Sequence, residues 1–321
     1  MSIPQSPMNT HGIKRKVKRV ICFLLVLIIE LGIIWNAEPR KQTPLEPATY
    51  SVSGEEYNYF LLKDRKWLID GRSPRKLIQL IPGDQSVDNK TIKYIGNVIQ
   101  STSIKAVYTI TEMHYDAPVN LYIISNENTY TKELKTYFTG SRLTNEVNES
   151  VGIQFNNFIY LPIYKFYDFT ANGELENTLA HELTHVVLYQ NGIEAKLPIW
   201  INEGFSWYVG NHAEKEVNPQ AEIELEQEIQ DSISYEAKNY KLYKLDQNNT
   251  MFTNNEPEYN LEWEDYLAVK ELISQFGMER FRAFISNLKN ESVEVGFQKT
   301  FGISLATFEQ NFYNEEISNA R

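Results

Sequence analysis

The chain has 321 residues, enough for one large domain or two small ones, and its 42% hydrophobic and 23% charged residues are ordinary for a protein that buries a core. Its net charge is −11, and the part that follows residue 35 holds 26 basic and 41 acidic residues, a net of −15. Because so acidic a body repels phosphate backbones, duplex nucleic acid is not an expected partner.

The N-terminal region has a composition of its own. Residues 14–19, KRKVKR, are a basic cluster, and residues 20–35, VICFLLVLIIELGIIW, form an apolar run whose length lies between a signal-peptide core and a membrane span. A buried soluble helix would not explain the basic flank. We predict an uncleaved signal anchor over 20–35, with residues 1–19 cytoplasmic and the rest extracellular at the cell membrane. A cleaved signal peptide, which would make the protein secreted, is the alternative.

The segments after the apolar run predict a linker and then an extension of unclear fold. Cys22, the only cysteine, lies inside the run, so the exported part has no disulfide and depends on packing and, we expect, on a metal. Residues 36–50 are rich in proline and polar side chains, which predicts a linker. Residues 51–87 are an N-terminal extension of unclear fold, with a short β element at 57–71.

The middle of the chain alternates between helical and strand patterns. Mixed apolar spacing favours helix over 88–112, and the compact apolar run VNLYIIS predicts a strand over 119–125. Residues 129–138 favour helix. The aromatic and β-branched stretch GIQFNNFIYLPIY predicts another strand over 152–164, and Pro162 suggests an edge position because proline cannot donate to a neighbouring strand.

Two helices are predicted next. Asn172 is expected to cap the first helix and Asn191-Gly192 to end it, while Pro198 lies in the first turn of the second helix and Gly210 near its end. Apolar residues in the rest of the chain recur at three- and four-residue spacing, which predicts further helices. Strands first and helices afterwards indicate an α+β domain with a small sheet.

The stretch HELTH carries the chemistry. His181 and His185 are one helical turn apart, so their rings lie on one face of the helix and can bind one ion. Glu182 is rotated about 100° from His181, which places its carboxylate beside the open position of the metal rather than on the metal. Such a pattern arises by chance in a chain with five histidines at a frequency of roughly 1% or less.

A second acidic residue completes the candidate ligand set. Glu203 follows His185 by a gap that accommodates the end of one helix, a turn and half of a packed second helix. Two imidazoles and a carboxylate leave the fourth position of a zinc ion for water. Gly204 is costly in mid-helix by about 1 kcal/mol, so we expect it to let the second helix approach the first closely enough for Glu203 to reach the ion.

These residues carry a resemblance to a known group of enzymes. HELTH followed by LPIWINEGFSWYV resembles the gluzincin metallopeptidases, is similar at its motifs to the aminopeptidase-N group, and is closer still to the peptidase MA-like family. The peptidase MA-like domain is expected over 88–320, with residues 1–85 outside the resemblance. The resemblance implies a small β-sheet with an edge strand, followed by a mostly helical, zincin-type (thermolysin-like) catalytic domain.

The resemblance also implies roles. His181, His185 and Glu203 would be ligands of one Zn²⁺, and Glu182 the general base that acts on a zinc-bound water as nucleophile. The strand at 152–164 would hold an extended peptide or protein substrate by main-chain hydrogen bonds.

Two departures from the family pattern bear on these roles. The G-x-M-E-N segment with which aminopeptidases hold a free amine is absent, which favours an endopeptidase. The family's oxyanion-stabilising tyrosine is expected about four turns before Gly277, where Glu262 stands instead. Tyr266 is the predicted catalytic tyrosine and Tyr259 the alternative, and a core aromatic remains an equal interpretation of Tyr266. No carboxylate that would orient the histidines is evident.

Other features are interpreted as structural. The acidic stretch 221–230 favours a solvated helix face, with a subsite for basic substrates as the alternative. His114 and His212 lack partners at ligand spacing, although His212 is close enough to the Glu203 helix to serve at the rim of the site. Trp200 and Trp207 form one stripe of the second helix and are interpreted as core residues.

The sequence therefore predicts a membrane-anchored, extracytoplasmic zinc metallopeptidase. The alternative belongs to a different class: a zinc-stabilised, non-catalytic binding or sensor ectodomain of the same fold. Glu182 separates the two hypotheses, because a peptidase needs a carboxylate there and a purely structural site tolerates glutamine.

Overall fold

The structure, a computed structural model of the chain, describes residues 77–166, 168, 170, 173–239, 245 and 261–319. Several predictions made from the sequence lie outside these residues, namely the basic segment 1–19, the anchor 20–35, the linker 36–50, the β element 57–71, Asn172 and Tyr259. Within the described ranges, no helix combines the length and the hydropathy that crossing a membrane requires.

Helices dominate the described elements, and the strands precede the longest of them. The first half contains β1 Ile78–Pro82, α1 Asn89–Val98, a π-helical turn Ile99–Ser103, α2 Ile104–Thr111, β2 Val119–Ile124, α3 Glu127–Leu134, α4 Gly140–Glu149, β3 Ile153–Phe155 and β4 Phe158–Pro162. The second half contains α5 Glu174–Gln190, α6 Ile199–Val217, α7 Ala221–Asn239, α8 Leu261–Phe276, α9 Met278–Asn287, α10 Val293–Phe301 and α11 Leu305–Asn319, with 3₁₀ turns at Ile163–Lys165 and Glu194–Lys196. The α+β class predicted from the sequence is confirmed.

The four strands form one mixed sheet in the order β1-β2-β4-β3. β1 pairs with β2 in parallel, from Ile78 opposite Val119, and β2 pairs with β4 in parallel, from Asn120 opposite Phe158. Parallel neighbours need a long crossover, which α1 and α2 supply between β1 and β2. The predicted strand at 119–125 is confirmed, and the sheet begins before residue 88.

The prediction of one edge strand over 152–164 is wrong. The segment forms a hairpin of β3 and β4 that turns at Asn156, whose φ of 55° is the left-handed conformation that asparagine tolerates. β4 lies inside the sheet, and only β3 forms the edge. Pro162 ends β4, where its missing N–H costs little, so this proline marks the end of a strand and not an edge.

The two helices predicted around the HELTH stretch are present. α5 follows Gly173, ends before Asn191 and turns through Gly192 at a φ of 69°, as the Asn-Gly pair predicts. α6 follows Pro198 and continues past Gly210 to Val217, further than predicted. α5 is buried along nearly its whole length, which makes it the central helix of the domain.

Two glycines, Gly204 and Gly210, set the packing of α6. The helix that packs against Gly204 is not the one predicted from the sequence. A Cβ on Gly204 would lie 2.1 Å from the carbonyl oxygen of Asp265. Gly204 therefore allows α8 to pack closely against α6, and α5 does not make this contact. A Cβ on Gly210 would lie 2.3 Å from Oδ1 of Asn177 on α5. Gly210 is therefore the residue that lets α6 approach α5, and the role expected for Gly204 is corrected accordingly.

Replacing Gly204 tests this contact. Gly204→Ala is expected to lower the free energy of unfolding by about 1–3 kcal/mol or more, because backbone of α8 and not a flexible side chain occupies the space of the new methyl group. Gly296→Ala is the matched control, since its nearest neighbour is the side chain of Leu288 at 3.2 Å. Equal unfolding midpoints for both variants in chemical denaturation would contradict the close approach of α6 to α8.

Candidate metal centre

Three ligand atoms converge between α5 and α6. Nε2 of His181 lies 3.0 Å from Nε2 of His185, and Oε2 of Glu203 lies 3.5 Å from the first nitrogen and 3.3 Å from the second. Ligands of a tetrahedral zinc with bonds of about 2.0–2.1 Å stand about 3.3 Å apart. The spacing of the three atoms therefore fits a single metal ion, and this group could hold one.

Local helix geometry and one interhelical contact together produce this convergence. His181 and His185 share a face of α5 because they are one turn apart, and their ring centroids lie 4.7 Å apart. Glu203 comes from α6, which Gly210 brings close to α5 about two helical turns further along. The side chains remain slightly accessible, with 13% of His181 and 18% of Glu203 exposed, so an ion and a small ligand can reach them.

The imidazole of His185 and the carboxylate of Glu203 shift each other's pKa in opposite directions. Burial disfavours the imidazolium of His185, but the adjacent carboxylate of Glu203 outweighs burial and raises the pKa of His185 to about 10. Burial likewise opposes ionisation of Glu203, yet the charge of His185 and the hydrogen bonds from both histidines hold the pKa of Glu203 well below its usual range. Without a metal, His185 thus retains a proton beside an ionised Glu203.

Glu182 lies beside the ligand group and not within it. Its side chain is buried, and burial raises the pKa of its carboxyl group to about 8. The positive charge of His185 lowers this pKa, and the negative charge of Glu203 raises it. Gly152, just before β3, packs on this carboxylate so closely that a Cβ there would lie 2.8 Å from Oε1 of Glu182. The edge of the sheet and the predicted general base are therefore neighbours.

Three further carboxylates act on the site electrostatically, and the sequence analysis assigned none of them a role in it. Glu146 on α4 and Glu194 in the turn after α5 both raise the pKa of Glu182. Glu262, at the start of α8, has a raised pKa from its own burial and from the charge of Glu203. Isolated glutamates carry no signature in the sequence, so only the folded chain assigns these residues to the site.

Two neighbours of Glu203 on α6 contact the histidines. Oγ of Ser206 lies 3.4 Å from Nδ1 of His185. The ring of Trp207 meets His181 edge-on, at 5.6 Å between centroids, and Nε1 of Trp207 donates to Oε2 of Glu262 at 2.8 Å. The core interpretation holds for Trp200, which is fully buried, but Trp207 belongs to the surroundings of the metal group.

The structure does not bring Tyr266 to the ligand group. Its ring is buried against Ile229 and Ile233 of α7, and its hydroxyl lies 3.5 Å from Oε1 of Glu226 and beside Asn211. Asn211 is eight residues beyond Glu203 on α6, roughly 12 Å along the helix axis. This placement matches the core interpretation of Tyr266 and offers no support for a catalytic role.

The remaining polar features lie apart from the metal group. The ring of His114 packs on Tyr108 at 5.2 Å, and the pKa of His212 is lowered by burial on the far turns of α6. Glu222 in the acidic stretch forms ion pairs with Lys215 and Lys270. Paired carboxylates on α7 agree with a solvated helix face.

No model of a known protein family and no curated protein matches the chain. The function is therefore inferred from the residues and their geometry.

Zinc affinity should depend on pH. Because the pKa of His185 is about 10 in the metal-free protein, an ion must displace a proton at neutral pH. Between about pH 6 and pH 8 the dissociation constant should tighten by about tenfold per pH unit, with at least one proton released per ion. Calorimetric titration in buffers of different ionisation enthalpy measures both quantities. A dissociation constant that is flat over this range would show that His185 is already neutral.

Proposed function

We propose that the protein is a zinc-dependent metallopeptidase of the gluzincin type, with a resemblance to the peptidase MA-like family at its motifs. One Zn²⁺ would be bound by His181, His185 and Glu203, and Glu182 would act as general base. The observation that carries the proposal is the tetrahedral spacing of the three ligand atoms, 3.0–3.5 Å, with the Glu182 carboxylate held one residue away from a ligand.

The donor set suits a catalytic zinc. Three protein ligands, two imidazoles and one carboxylate, leave one coordination position for water, whereas structural zinc sites are closed by four. A zinc ion held there would supply Lewis acidity that lowers the pKa of water and polarises a carbonyl group. Among the carboxylates that the structure describes, Glu203 is the one whose oxygen lies with the two histidine nitrogens in the ligand group.

Glu182 suits proton transfer. A general base works best when its pKa is near the operating pH, and burial raises the pKa of Glu182 to about 8 in the metal-free protein. A bound cation would lower this value towards the range in which the carboxylate accepts a proton and later releases it. Glu182 would take a proton from the attacking water and deliver it to the nitrogen of the leaving amine.

The fold supports a zincin-type architecture. α5 and α6 place the ligands, and β3 at the sheet edge lies over Glu182 through Gly152. The contact between the sheet edge and Glu182, and the two helices that carry the candidate ligands, support the thermolysin-like domain that we propose.

The open edge of β3 offers a way to bind an extended peptide. Phe155 and Phe158 flank the two-residue turn of the hairpin and form its first hydrogen-bonded pair. Because such pairs alternate in antiparallel strands, Gln154 directs its N–H and C=O away from β4, towards the open edge. A substrate strand paired there would pass Gly152 and so reach Glu182. This mode of binding needs no free terminus, which favours an endopeptidase.

The proposed location follows from the sequence. The basic cluster at 14–19 and the apolar run at 20–35 are typical of a signal anchor, with the N-terminus in the cytoplasm. The metallopeptidase domain would then act outside the cell membrane on peptides or proteins, and would be secreted if the segment were cleaved.

Replacing the general base tests the proposal. Glu182→Gln in the full chain should keep one zinc per molecule, because Glu182 is not a ligand, and should lose cleavage of an unbiased peptide library by about 10²-fold or more. Glu176→Gln is the matched control, a second buried glutamate two turns earlier on α5, and should cleave normally. A wild-type protein that binds zinc but cleaves nothing would support the non-catalytic binding ectodomain instead.

Blocking the open edge tests the mode of substrate binding. Gln154→Pro removes the outward N–H and should lower kcat/KM by about five- to tenfold while zinc content stays unchanged, since losing one hydrogen bond between uncharged groups costs about 1–1.5 kcal/mol. Gln154→Ala keeps the N–H and removes only the side chain, so it should stay within about twofold of wild type. If proline and alanine have the same effect, substrate does not pair with β3.

A further inference from the structure

One face of α6 supplies more than the third ligand. Glu203, Ser206, Trp207 and Gly210 follow one another at intervals of three, one and three residues, which places them on a single stripe of the helix. Each of them meets α5: Glu203 reaches both histidines, Ser206 reaches His185, Trp207 reaches His181, and Gly210 lies against Asn177. The stripe therefore faces α5 along its whole length, and three of its four residues meet the two histidines.

Ser206 is placed to fix the orientation of the His185 ring. Neutral imidazole carries one N–H, and the nitrogen without it is the one that can bind a metal. Nε2 of His185 belongs to the ligand group, and Nδ1 points at Oγ of Ser206, a fully buried hydroxyl 3.4 Å away. When Nδ1–H donates to this hydroxyl, Nε2 retains its lone pair for the ion.

Trp207 is placed to fix the orientation of His181. The indole meets the imidazole nearly at right angles, 81° between ring planes, which is the favourable edge-to-face arrangement of aromatic rings. Nε1 of Trp207 is held by Oε2 of Glu262 at 2.8 Å, so the indole is tied to α8. His181 thus rests on a side chain that two helices hold in place.

We propose that Ser206 and Trp207 are positioning residues of the metal centre, which set the orientation of His185 and His181 before an ion binds. α6 then delivers the third ligand and the supports of the other two as one rigid unit. The inference rests on the metal-binding part of the proposed function and not on peptide hydrolysis. It also assigns Glu262 a task, to anchor the indole, at the place where the resemblance led us to expect a tyrosine.

The chain offers a matched control on the same helix. Trp200 also lies on α6 and also donates from Nε1 to a glutamate, Glu309, at 2.9 Å. Trp200 stacks on Phe308 in the core, and neither its ring contact nor its hydrogen bond involves a histidine. Replacing Trp200 removes an equivalent ring and hydrogen bond from the fold without touching the metal group.

The experiment measures zinc binding by the metal-free full chain against a chromophoric chelator. Ser206→Ala and Trp207→Leu should each weaken zinc affinity by about 10–100-fold, the usual effect of losing a group that orients a metal ligand. Trp207→Phe keeps a ring beside His181 but loses the anchor to Glu262, so its affinity should fall between wild type and Trp207→Leu. Trp200→Phe should bind zinc within about twofold of wild type even where its Tm falls.

A second readout separates positioning from general loosening of the fold. Cobalt(II) loaded in place of zinc reports ligand geometry through its visible absorption, which should change in Ser206→Ala and Trp207→Leu and stay unchanged in Trp200→Phe. The inference is overturned if the first two variants match wild type in affinity and spectrum, or if Trp200→Phe weakens zinc binding as much as they do. If Trp207→Leu does not fold, Ser206→Ala and Trp207→Phe decide. A wild-type chain that binds no zinc overturns the proposed metal centre itself.

Discussion

The close packing of α6 against two helices at once is the constraint on which the site depends. Gly204 admits the backbone of α8 on one side, and Gly210 admits Asn177 of α5 on the other. Neither contact tolerates a Cβ, so α6 cannot slide or rotate without breaking backbone contacts. Glu203 is the neighbour of Gly204 in the chain, and its carboxylate therefore enters the space between α5 and α8 at a fixed depth. The ligand spacing follows from that depth.

Charge is the second constraint. Two carboxylates, Glu182 and Glu203, lie at the histidines, and Glu146, Glu194 and Glu262 act on them from three other elements. Bringing like charges together in a partly buried site is costly, and the metal-free protein limits this cost by keeping His185 protonated. A divalent cation would neutralise the same charges more fully. The electrostatics of the ligand group and its fit to a metal are thus two consequences of one arrangement.

The sheet shows where periodicity misleads. The stretch 152–164 has the composition of one strand, but Asn156 and Asn157 turn it into a hairpin. Both halves share a β-branched and aromatic composition, and an Asn-Asn pair is a weaker turn signal than Asn-Gly, so the break was not evident. Pro162 suggests an edge strand because proline cannot donate a main-chain hydrogen bond. A proline in the last position of an inner strand satisfies the same rule, and strand order depends on contacts far apart in the chain.

The sequence by itself determined the features that depend on the geometry of a single helix. The i, i+4 spacing of His181 and His185 fixes a shared face through the geometry of one turn, and the Asn-Gly end of α5 and the helical course of α6 are equally local. The structure alone decided what lies across from that face. In the sequence, Ser206 and Trp207 have the same pattern as core residues of α6. For Tyr266, a catalytic role and a core position were equal interpretations. Their roles depend on the angle and depth at which three helices meet. Glycine contacts between segments tens of residues apart set this angle and depth. Hydrophobic periodicity carries no information about contacts at such separations along the chain.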